Sequence, residues 1–398
     1  MKPSTGPLAG LRVLEVTQIM SGPTCGLLLA DMGADVIKIE KIPGGDDARG
    51  YRDPQVGGVS APFMMMNRNK RGLALNLKSP KGRALLLKMV KNADVLVENF
   101  RGGTMDKLGL GYEALKAENP GLIYCAITGY GRTGPYADKG GFDLIAQGFA
   151  GLMSITGEAG RPPAKSGNAV SDMNAGILAA LGILAAYIHK LKTGEGQVVD
   201  TSLSDAALQQ TYWHAAVWFA TQRSPEPTGS AHILTAPYQA FEASDGWINI
   251  GGANQTNWER ICDVLGHPEW RSDPRFVTNS DRMAHLAVLV DLMNAVVRTR
   301  TRADWQAAFD AAGVPAGPVH TIGEALSHPQ TLARGMVVEV EHPQAGATRA
   351  IGCPIHFSAS PDRCSTPAPL LGQHTREVLR EFDLPETEID ALVDEGVV

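Results

Sequence analysis

The sequence lacks the features that mark several large classes of protein. Its five cysteines are scattered and form no CxxC pair. An odd, dispersed set is typical of reduced thiols, so we expect a cytoplasmic chain without a disulfide framework. The ten histidines form no HExxH pair, and we therefore expect no metal site. The cysteines are Cys25, Cys125, Cys262, Cys353 and Cys364.

A strong basic charge and a long apolar run are also missing. The formal net charge is −6, which does not favour nucleic acid as a partner. The amino-terminal segment MKPSTGPLAGLRVLEV has no long apolar region of the kind that signal peptides carry. The most apolar stretch lies within 170–194, is interrupted by Gly176 and Gly182, and at about 17 residues reaches only the lower limit of a bilayer span. We expect it to be a buried core helix and expect no membrane association.

Three motifs that bind nucleotides or present a nucleophile are absent. The chain has no P-loop, no GxSxG elbow and no GxGxxG. The first predicted strand–helix turn, TQIMSGPTCG, contains Gly22 and Gly26 but departs from the dinucleotide pattern. A nicotinamide-dependent dehydrogenase is therefore disfavoured, although it remains the alternative at the level of fold.

What the sequence does contain is an alternation of short apolar strands and helices. LRVLEV, the helix that follows it and DVIKIE form a βαβ unit, which requires a parallel strand pair. Repetition of this pattern indicates an α/β fold with a Rossmann-like open parallel sheet. The predicted strands are 11–16, 35–40, 94–99, 122–131 and 197–205, and the predicted helices between them include 22–34, 81–93 and 173–191.

A change of composition after residue 205 predicts a second, smaller domain. RSPEPTGSA is rich in Pro, Ser and Gly and is typical of a linker. PYQAFEASDGWINIGG predicts a hairpin, and helical patterns follow at NWERICDVLG and MAHLAVLVDLMNAVVRTR. We predict a large Rossmann-like domain at 1–205, a linker at 206–227, a smaller α+β domain at 228–325, and a return linker with the last part of the large domain at 326–398.

One acidic residue stands at the front of the apolar stretch VSDMNAGILAALGILAAYIHKLKTG. Ser171 or Asp172 is suited to cap the amino terminus of this helix, because Ser and Asp are favoured cap residues. Alternatively, the helix terminus holds the Asp172 carboxylate ionised so that it can act as a nucleophile. The helix pattern alone favours the cap.

Polar, Gly-rich segments follow the predicted strands, where open α/β sheets bind ligands. Glycine allows backbone N–H groups to approach a phosphate, and Lys or Arg supplies charge. Aromatic residues lie among them, so together they favour a ligand that carries phosphates and a stackable ring. Each segment alone is equally typical of an exposed turn. The cations are Lys41, Arg49, Arg101, Arg132 and Lys139, and NRNKRGLALNLKSPKG adds more.

Across nearly its whole length the chain resembles the family III CoA-transferases, also called the CaiB/BaiF family. The group includes formyl-CoA, carnitine and dicarboxylate CoA-transferases, with α-methylacyl-CoA racemases as relatives. The resemblance rests on GADVIKIEK, NRNKR, ADVLVENF, ITGYGRTGPYADKGGFD, GLMSITG, SDMNAG with KTGEGQ, INIGG and LLGQHT.

The resemblance implies an interlocked homodimer and a CoA-transferase that uses acyl-CoA as its substrate, with no permanently bound cofactor. The family's nucleophilic aspartate falls on Asp172, where it forms a mixed anhydride and then an aspartyl-CoA thioester. Asp143 remains from the family's motif and is expected to orient groups near Asp172, or else to cap the helix that follows it.

Further positions are implied by matching motifs. Most are expected to contact CoA, Met20 and Ser21 to approach the thioester, and two glycines to belong to a loop that closes over the active site. These residues are Met20, Ser21, Lys41, Leu75, Lys78, Asn99, Phe100, Arg101, Lys107, Thr128, Tyr130, Gly251 and Gly252.

Two departures from the family narrow the expected reaction. Formyl-CoA transferases carry Gln where this chain has Met20, and a longer glycine run than INIGGAN. Racemases carry His where this chain has Phe142, and Phe cannot transfer a proton. We expect transfer of CoA from an acyl-CoA, such as succinyl-CoA, to a small carboxylic or dicarboxylic acid. A racemase and a catalytically silent CoA-binding protein are the alternatives. Arg49, Arg71 and Arg101 are candidates to bind the acceptor carboxylate.

Overall fold

A computed structural model of the chain describes residues 6–360 and 366–398. Cys364 and the first five residues of the amino-terminal segment lie outside the described residues. The other four cysteines are free and buried. The chain forms two compact units, Met1–Leu152 with Ser166–Gln210 and Pro329–Val398, and Met153–Lys165 with Thr211–His328.

The strands follow the alternation that the sequence predicts. The described strands are β1 (Arg12–Val16), β2 (Asp35–Glu40), β3 (Gln55–Val56), β4 (Val59–Ser60), β5 (Arg71–Ala74), β6 (Val95–Glu98), β7 (Ile123–Thr128), β8 (Val198–Ser202), β9 (Tyr238–Ala243), β10 (Gly246–Gly251), β11 (Ala316–Pro318), β12 (Val337–His342) and β13 (Gly346–Ile351).

The helices are more numerous than the predicted ones. The described α-helices are α1 (Ser21–Asp31), α2 (Ala61–Asn67), α3 (Pro80–Val90), α4 (Thr104–Lys107), α5 (Tyr112–Glu118), α6 (Asp143–Phe149), α7 (Val170–Thr193), α8 (Leu203–Gln209), α9 (Tyr212–Thr221), α10 (Gln255–Leu265), α11 (Asn279–Ala284), α12 (Leu286–Val297), α13 (Arg302–Ala312), α14 (Ile322–Ser327), α15 (Pro329–Ala333), α16 (Thr375–Glu381) and α17 (Glu386–Asp394).

The first unit contains a six-stranded sheet in the order β5-β2-β1-β6-β7-β8, and all of its neighbouring pairs are parallel. The predicted α/β class with an open parallel sheet is confirmed. Side chains alternate across each strand, so Leu14 joins the apolar core on one face and Val13 the core on the other. Helices α3, α5, α16 and α17 cover the first face, and α1 and α7 the second.

The strand order reverses at β1, which pairs with β2 on one side and β6 on the other. In open α/β sheets, ligands bind outside the carboxyl ends of the strands at such a switch point. The segments after β1 and β6 therefore lie side by side at the edge of the sheet where a site is expected.

In the second unit the predicted hairpin is present, since β9 and β10 pair antiparallel and β11 adds a third strand. Both predicted helical patterns hold a helix, α10 in the first and α12 in the second, although the first two residues of the second pattern belong to the separate α11, which ends at Ala284. The predicted linker region 206–227 holds the end of α8 and all of α9. The predicted strand 197–205 ends at Ser202, whose hydroxyl accepts the Asp205 N–H and begins α8.

Helix α7 differs from the buried core helix that its composition predicts. It is the one helix in the described residues that is long and apolar enough to cross a membrane. One face, including Ala175, Ala179 and Ile183, is fully buried, whereas Leu181 is 62% exposed on the other. An apolar pattern shows that a face is to be covered but not by what, so the sequence could not separate core from surface here.

Candidate active site

Two adjacent clefts lie at the carboxyl ends of the sheet strands in the first unit. The carboxylate cleft, of about 340 Å³, is lined by the 18–21 turn, residues 99–101, the end of β7, residues 139–142 and Asp172. The lysine cleft, of about 510 Å³, is lined by residues 39–43, 75–78 and the Lys41 and Lys78 side chains. Gln18, Phe100 and Thr104 line both, so the two clefts are neighbours across these three residues.

Asp172 is the third residue of α7 and is not its cap. The residue before the helix is Ala169, and no side chain of the helix's own flank caps it. Instead Asp143, at the start of α6, accepts the Ser171 N–H at 2.9 Å. The predicted caps, Ser171 and Asp172, are therefore wrong, because a carboxylate from another helix already satisfies this turn.

Asp143 is itself held by a buried side chain. Gln147, one turn further along α6, donates through Nε2 to Asp143 Oδ2 at 2.7 Å and accepts the Ser166 N–H at 2.9 Å. Gln147 is 1% exposed. This series of hydrogen bonds, from Gln147 through Asp143 to Ser171, fixes the first turn of α7, from which Asp172 projects.

Two effects raise the pKa of Asp172 to about 6. The first cause is burial, and the second is the nearby carboxylate of Asp143. Both effects disfavour the anion and so oppose the stabilisation that is expected from the helix terminus. At pH 7 the group is still mostly ionised, so a carboxylate that is poorly solvated and hence reactive lines this cleft.

A glycine brings Asp172 close to the turn after β1. Gly176 lies one helical turn after Asp172, on the same face of α7. A Cβ on Gly176 would lie 2.4 Å from the Ser21 carbonyl oxygen and 2.7 Å from Thr24 Cβ. Only glycine permits this approach of α7 to α1, which puts Asp172 in one cleft with Met20 and Ser21.

Residues after β6 connect the two clefts. Asn99 accepts the Gln18 N–H at 3.0 Å and donates to the Gln18 carbonyl and to Ser21 Oγ. Glu98 accepts the Phe100 N–H at 2.8 Å, and burial raises the pKa of this carboxyl to about 7. The Phe100 backbone is therefore held at the boundary of both clefts.

Two exposed lysines supply the positive charge of the lysine cleft. Lys41 forms an ion pair with Asp47, and Lys78 follows the buried Leu75 in the loop after β5. Both lysines are on the surface, where long side chains are free to reach a phosphate. Leu75, Leu77 and Ile42 give the cleft apolar walls.

The structure brings several predicted residues together and leaves others apart. The carboxylate cleft is lined by Met20, Ser21, Asn99, Phe100, Arg101, Thr128 and Asp172, and the lysine cleft by Lys41, Leu75, Lys78 and Phe100. Lys107 is exposed at the end of α4. Tyr130 packs edge-on against Tyr136 and Phe149. Gly251 ends β10 in the second unit, and Gly252 follows it, with its N–H donating to the Pro237 carbonyl at 2.7 Å.

Of the three arginines considered as carboxylate clamps, two are committed elsewhere. Arg49 makes two 2.7 Å bonds to Glu40. Arg71 binds Asp35, Glu377 and Glu381. Arg101 is exposed on the wall of the carboxylate cleft, and its Nε donates to the Asp138 carbonyl at 2.7 Å.

Sequence reasoning missed Gln147 and the turn residues Gln18 and Ile19. Gln147 forms an i, i+4 pair with Asp143, which is the one local signal that would have identified it. In the part of the chain that the structure describes, no group of three or more His, Cys, Asp or Glu side chains could hold a metal ion.

Comparison with known proteins agrees with this architecture. Residues 8–375 match the profile of CoA-transferase family III. A succinate–glutarate CoA-transferase of Agrobacterium fabrum is 39% identical over 96% of each chain. An acetyl-CoA:oxalate CoA-transferase of Acetobacter aceti is 38% identical over 96% of this chain and 97% of the relative. A crystal structure of a CaiB/BaiF family protein from Brucella suis covers 95% of this chain and 100% of its own, with a TM-score of 0.85 and 39% identity.

The profile match covers most of the chain, and relatives of this identity extend along nearly its full length. Both findings agree with the parallel sheet and its clefts. The expected resemblance is confirmed, and so is a transferase enzyme with acyl-CoA as substrate. This chain belongs to CoA-transferase family III.

Proposed function

We propose that this enzyme moves CoA from an acyl-CoA, such as succinyl-CoA, to a small dicarboxylic acid through an aspartyl-CoA thioester on Asp172. The observation that carries the proposal is the Asp172 carboxylate, poorly solvated and with its pKa raised to about 6, on the wall of a cleft that adjoins the lysine cleft. Both relatives named above carry dicarboxylic acids in their names, glutarate and succinate in one and oxalate in the other.

The two clefts suit the two ends of an acyl-CoA. Lys41 and Lys78 supply positive charge for the phosphates of the nucleotide end, and the apolar walls accept its ring and linker. The thioester end then passes Gln18 and Phe100 into the carboxylate cleft, where Asp172 lies. Arg101, the one candidate clamp on that wall, is available to a second carboxylate or to CoA.

Each chemical step exchanges one acyl bond for another. The Asp172 carboxylate attacks the thioester carbonyl and expels CoA thiolate, which leaves a mixed anhydride. The thiolate attacks the Asp172 carbonyl, releases the donor acid and forms the aspartyl-CoA thioester. The acceptor carboxylate then attacks that thioester and expels the thiolate. Finally, the thiolate takes the acceptor acyl group from the new anhydride and frees Asp172. No oxidant, metal or ATP is required.

A test of this proposal is to trap the acyl-enzyme. The protein is incubated with succinyl-, glutaryl-, acetyl- and a branched acyl-CoA, quenched with hydroxylamine and mapped by peptide mass spectrometry. We expect an aspartyl hydroxamate at Asp172, and none in Asp172→Asn. Asp200→Asn, a change of another carboxylate outside both clefts, is the control that should still be labelled.

If the enzyme transfers CoA but no donor labels Asp172, the proposed route through an aspartyl-CoA thioester is wrong. Exchange of the substrate α-proton in deuterated water without CoA transfer would favour the racemase. The exposed Phe142 on the cleft wall opposes that alternative, since its side chain carries no proton to transfer.

We also propose that the enzyme is a cytoplasmic homodimer. Exposed apolar side chains continue from α6 along the outer face of α7, which is more than a monomer normally leaves uncovered. Leu181→Glu should yield monomers by size-exclusion chromatography with light scattering, whereas Lys192→Glu on the same helix should not. The exposed side chains are Phe142, Leu144, Ile145, Phe149, Ile177, Leu181, Ile188 and Leu191.

A further inference from the structure

The turn after β1 contains a backbone conformation that is costly for its residue. Ile19 has φ +68°, in the left-handed region that β-branched residues rarely enter. Such a conformation costs on the order of 1–3 kcal/mol and persists only where the surroundings impose it. Hydrogen bonds from other segments hold Ile19 in this conformation.

Side chains from three other segments hold this turn by its backbone. Asp46 Oδ1 accepts the Ile19 N–H at 3.0 Å. Lys38 Nζ donates to the Thr17 carbonyl at 3.1 Å. Asn99 binds both the N–H and the carbonyl of Gln18. Three consecutive residues, 17 to 19, are thus fixed by tertiary hydrogen bonds.

Asp46 and Lys38 belong to a buried ionic network. Lys38 Nζ lies 2.8 Å from Asp46 Oδ2 and 3.2 Å from Glu15 Oε1, and Lys70 Nζ lies 2.8 Å from Glu15 Oε2. All four side chains are at most 3% exposed. Two cations balance two anions, which is the condition for charges to remain buried.

The charge states of the pair are coupled to this geometry. Burial alone would raise the pKa of Asp46, but the Lys38 ammonium outweighs it and lowers that pKa. Burial would lower the pKa of Lys38, but Glu15 and Asp46 outweigh it and raise that pKa. Both groups therefore stay charged at neutral pH, and Asp46 remains a strong acceptor for the Ile19 N–H.

The turn that they hold is the wall between the two clefts. Gln18 lines both clefts, and Ile19, Met20 and Ser21 line the carboxylate cleft with Asp172. A shift of about 1 Å in groups that position a substrate is enough to lower a rate about 100-fold. The position of this turn therefore bears on how a thioester meets Asp172.

We infer that Asp46, supported by Lys38, is a positioning residue that holds the strained 17–21 turn in the geometry that transfer of CoA requires. The inference rests on the proposed function, since transfer activity is one of its readouts. Asp46 lines the lysine cleft but is only 3% exposed. It acts on the carboxylate cleft through the Ile19 N–H, which it accepts.

Two variants at one position separate this role from stability. Asp46→Ala and Asp46→Asn both remove the ion pair with Lys38, but Asn keeps an oxygen that accepts the Ile19 N–H. We expect Asp46→Ala to lower kcat by about 10- to 100-fold, and Asp46→Asn by less than about threefold. The KM for acyl-CoA should change by less than about threefold in both, because Lys41 and Lys78 are untouched.

A control and a rescue sharpen the comparison. Asp31→Ala removes an equally buried carboxylate from its bonds to Arg68 and Asn69 and should lower Tm while leaving kcat unchanged. Ile19→Gly in the Asp46→Ala background should recover part of the lost kcat, since glycine adopts positive φ without strain. Amide hydrogen exchange of Ile19 in the native protein and in Asp46→Asn should show protection in both.

The outcomes distinguish this inference from the proposed function. Absence of CoA transfer in the native protein would contradict the proposed function. If the native protein is active, equal kcat losses in Asp46→Ala and Asp46→Asn would overturn the positioning role, as would an unprotected Ile19 amide in the native protein. The amide measurement decides the matter even where Asp46→Ala does not fold.

Discussion

The carboxylate cleft and the lysine cleft share a wall but are built in opposite ways. In the lysine cleft the two cations, Lys41 and Lys78, are exposed at the ends of flexible side chains. In the carboxylate cleft the anion, Asp172, is half-buried on a helix whose first turn is bonded to Asp143.

This difference separates binding from chemistry. Several weak contacts to solvated phosphates share the work of holding a nucleotide, so no single lysine is decisive. A nucleophile is one atom group whose position and charge must both be right, and the protein spends buried hydrogen bonds on fixing it. Substitutions in the two clefts should therefore differ in size and in which kinetic constant they change.

The largest effect is expected from Asp172→Asn. The amide has nearly the same size but cannot form the anhydride, so we expect kcat to fall by about a thousandfold or more, as for removal of other nucleophiles. The dissociation constant of acyl-CoA, measured by calorimetry, should change little. Residual transfer at a tenth of the native rate would contradict the conclusion that the chemistry depends on Asp172 in the carboxylate cleft.

The next effect concerns pH. Because the Asp172 anion attacks, the rate of single-turnover acyl transfer should fall as pH drops through about 6, the raised pKa of this group. Asp143→Asn keeps an acceptor for the Ser171 N–H but removes the nearby charge, so the midpoint should move to lower pH. An unchanged midpoint would mean that Asp143 does not act electrostatically on Asp172.

A smaller effect is expected in the lysine cleft. Lys41→Ala and Lys78→Ala should each raise the KM for acyl-CoA by about 3- to 10-fold at low salt and leave kcat unchanged. The increases should shrink as ionic strength rises, since exposed charges are screened. Lys81→Ala, which removes an exposed lysine paired with Glu395, is the matched control. A fall in kcat in either variant would contradict the conclusion that the lysine cleft serves binding and not chemistry.

The smallest effect is on stability. The folded state raises the pKa of Asp172 above its ordinary value, so it binds more protons than the unfolded state, and stability falls as pH rises from about 4 to 6. Asp172→Asn removes this cost and should stabilise the protein by about 1–2 kcal/mol at pH 8. At pH 4 the difference should vanish. Thermal unfolding at both pH values measures it.

Much of the architecture was predictable because it is local. Strand β2 matches its predicted bounds of 35–40, β1 is one residue shorter at its start, and β6 is one residue shorter at each end. Apolar alternation and helical periodicity decide these elements within a few neighbouring residues. The start of α8 was missed because its cap, Ser202, lies inside an apparently continuous strand pattern.

The residues of the candidate site also divide into those that local sequence patterns predict and those that they do not. Motifs in the sequence place Asp172, Lys41 and Asn99 at the ends of elements, and parallel strands bring such ends to one edge. The sequence could not show that Arg49 binds Glu40 or that Arg71 binds Glu381, since these contacts depend on how the chain folds.

The sequence by itself determined the alternation of strands and helices, the parallel sheet and the family, since all three follow from patterns along the chain. Only the tertiary structure decided that Asp143 caps the helix of Asp172, that burial raises the pKa of that carboxyl, and that Asp46 holds Ile19 at positive φ. These depend on distances between segments far apart in sequence, and on how much water the fold excludes between them.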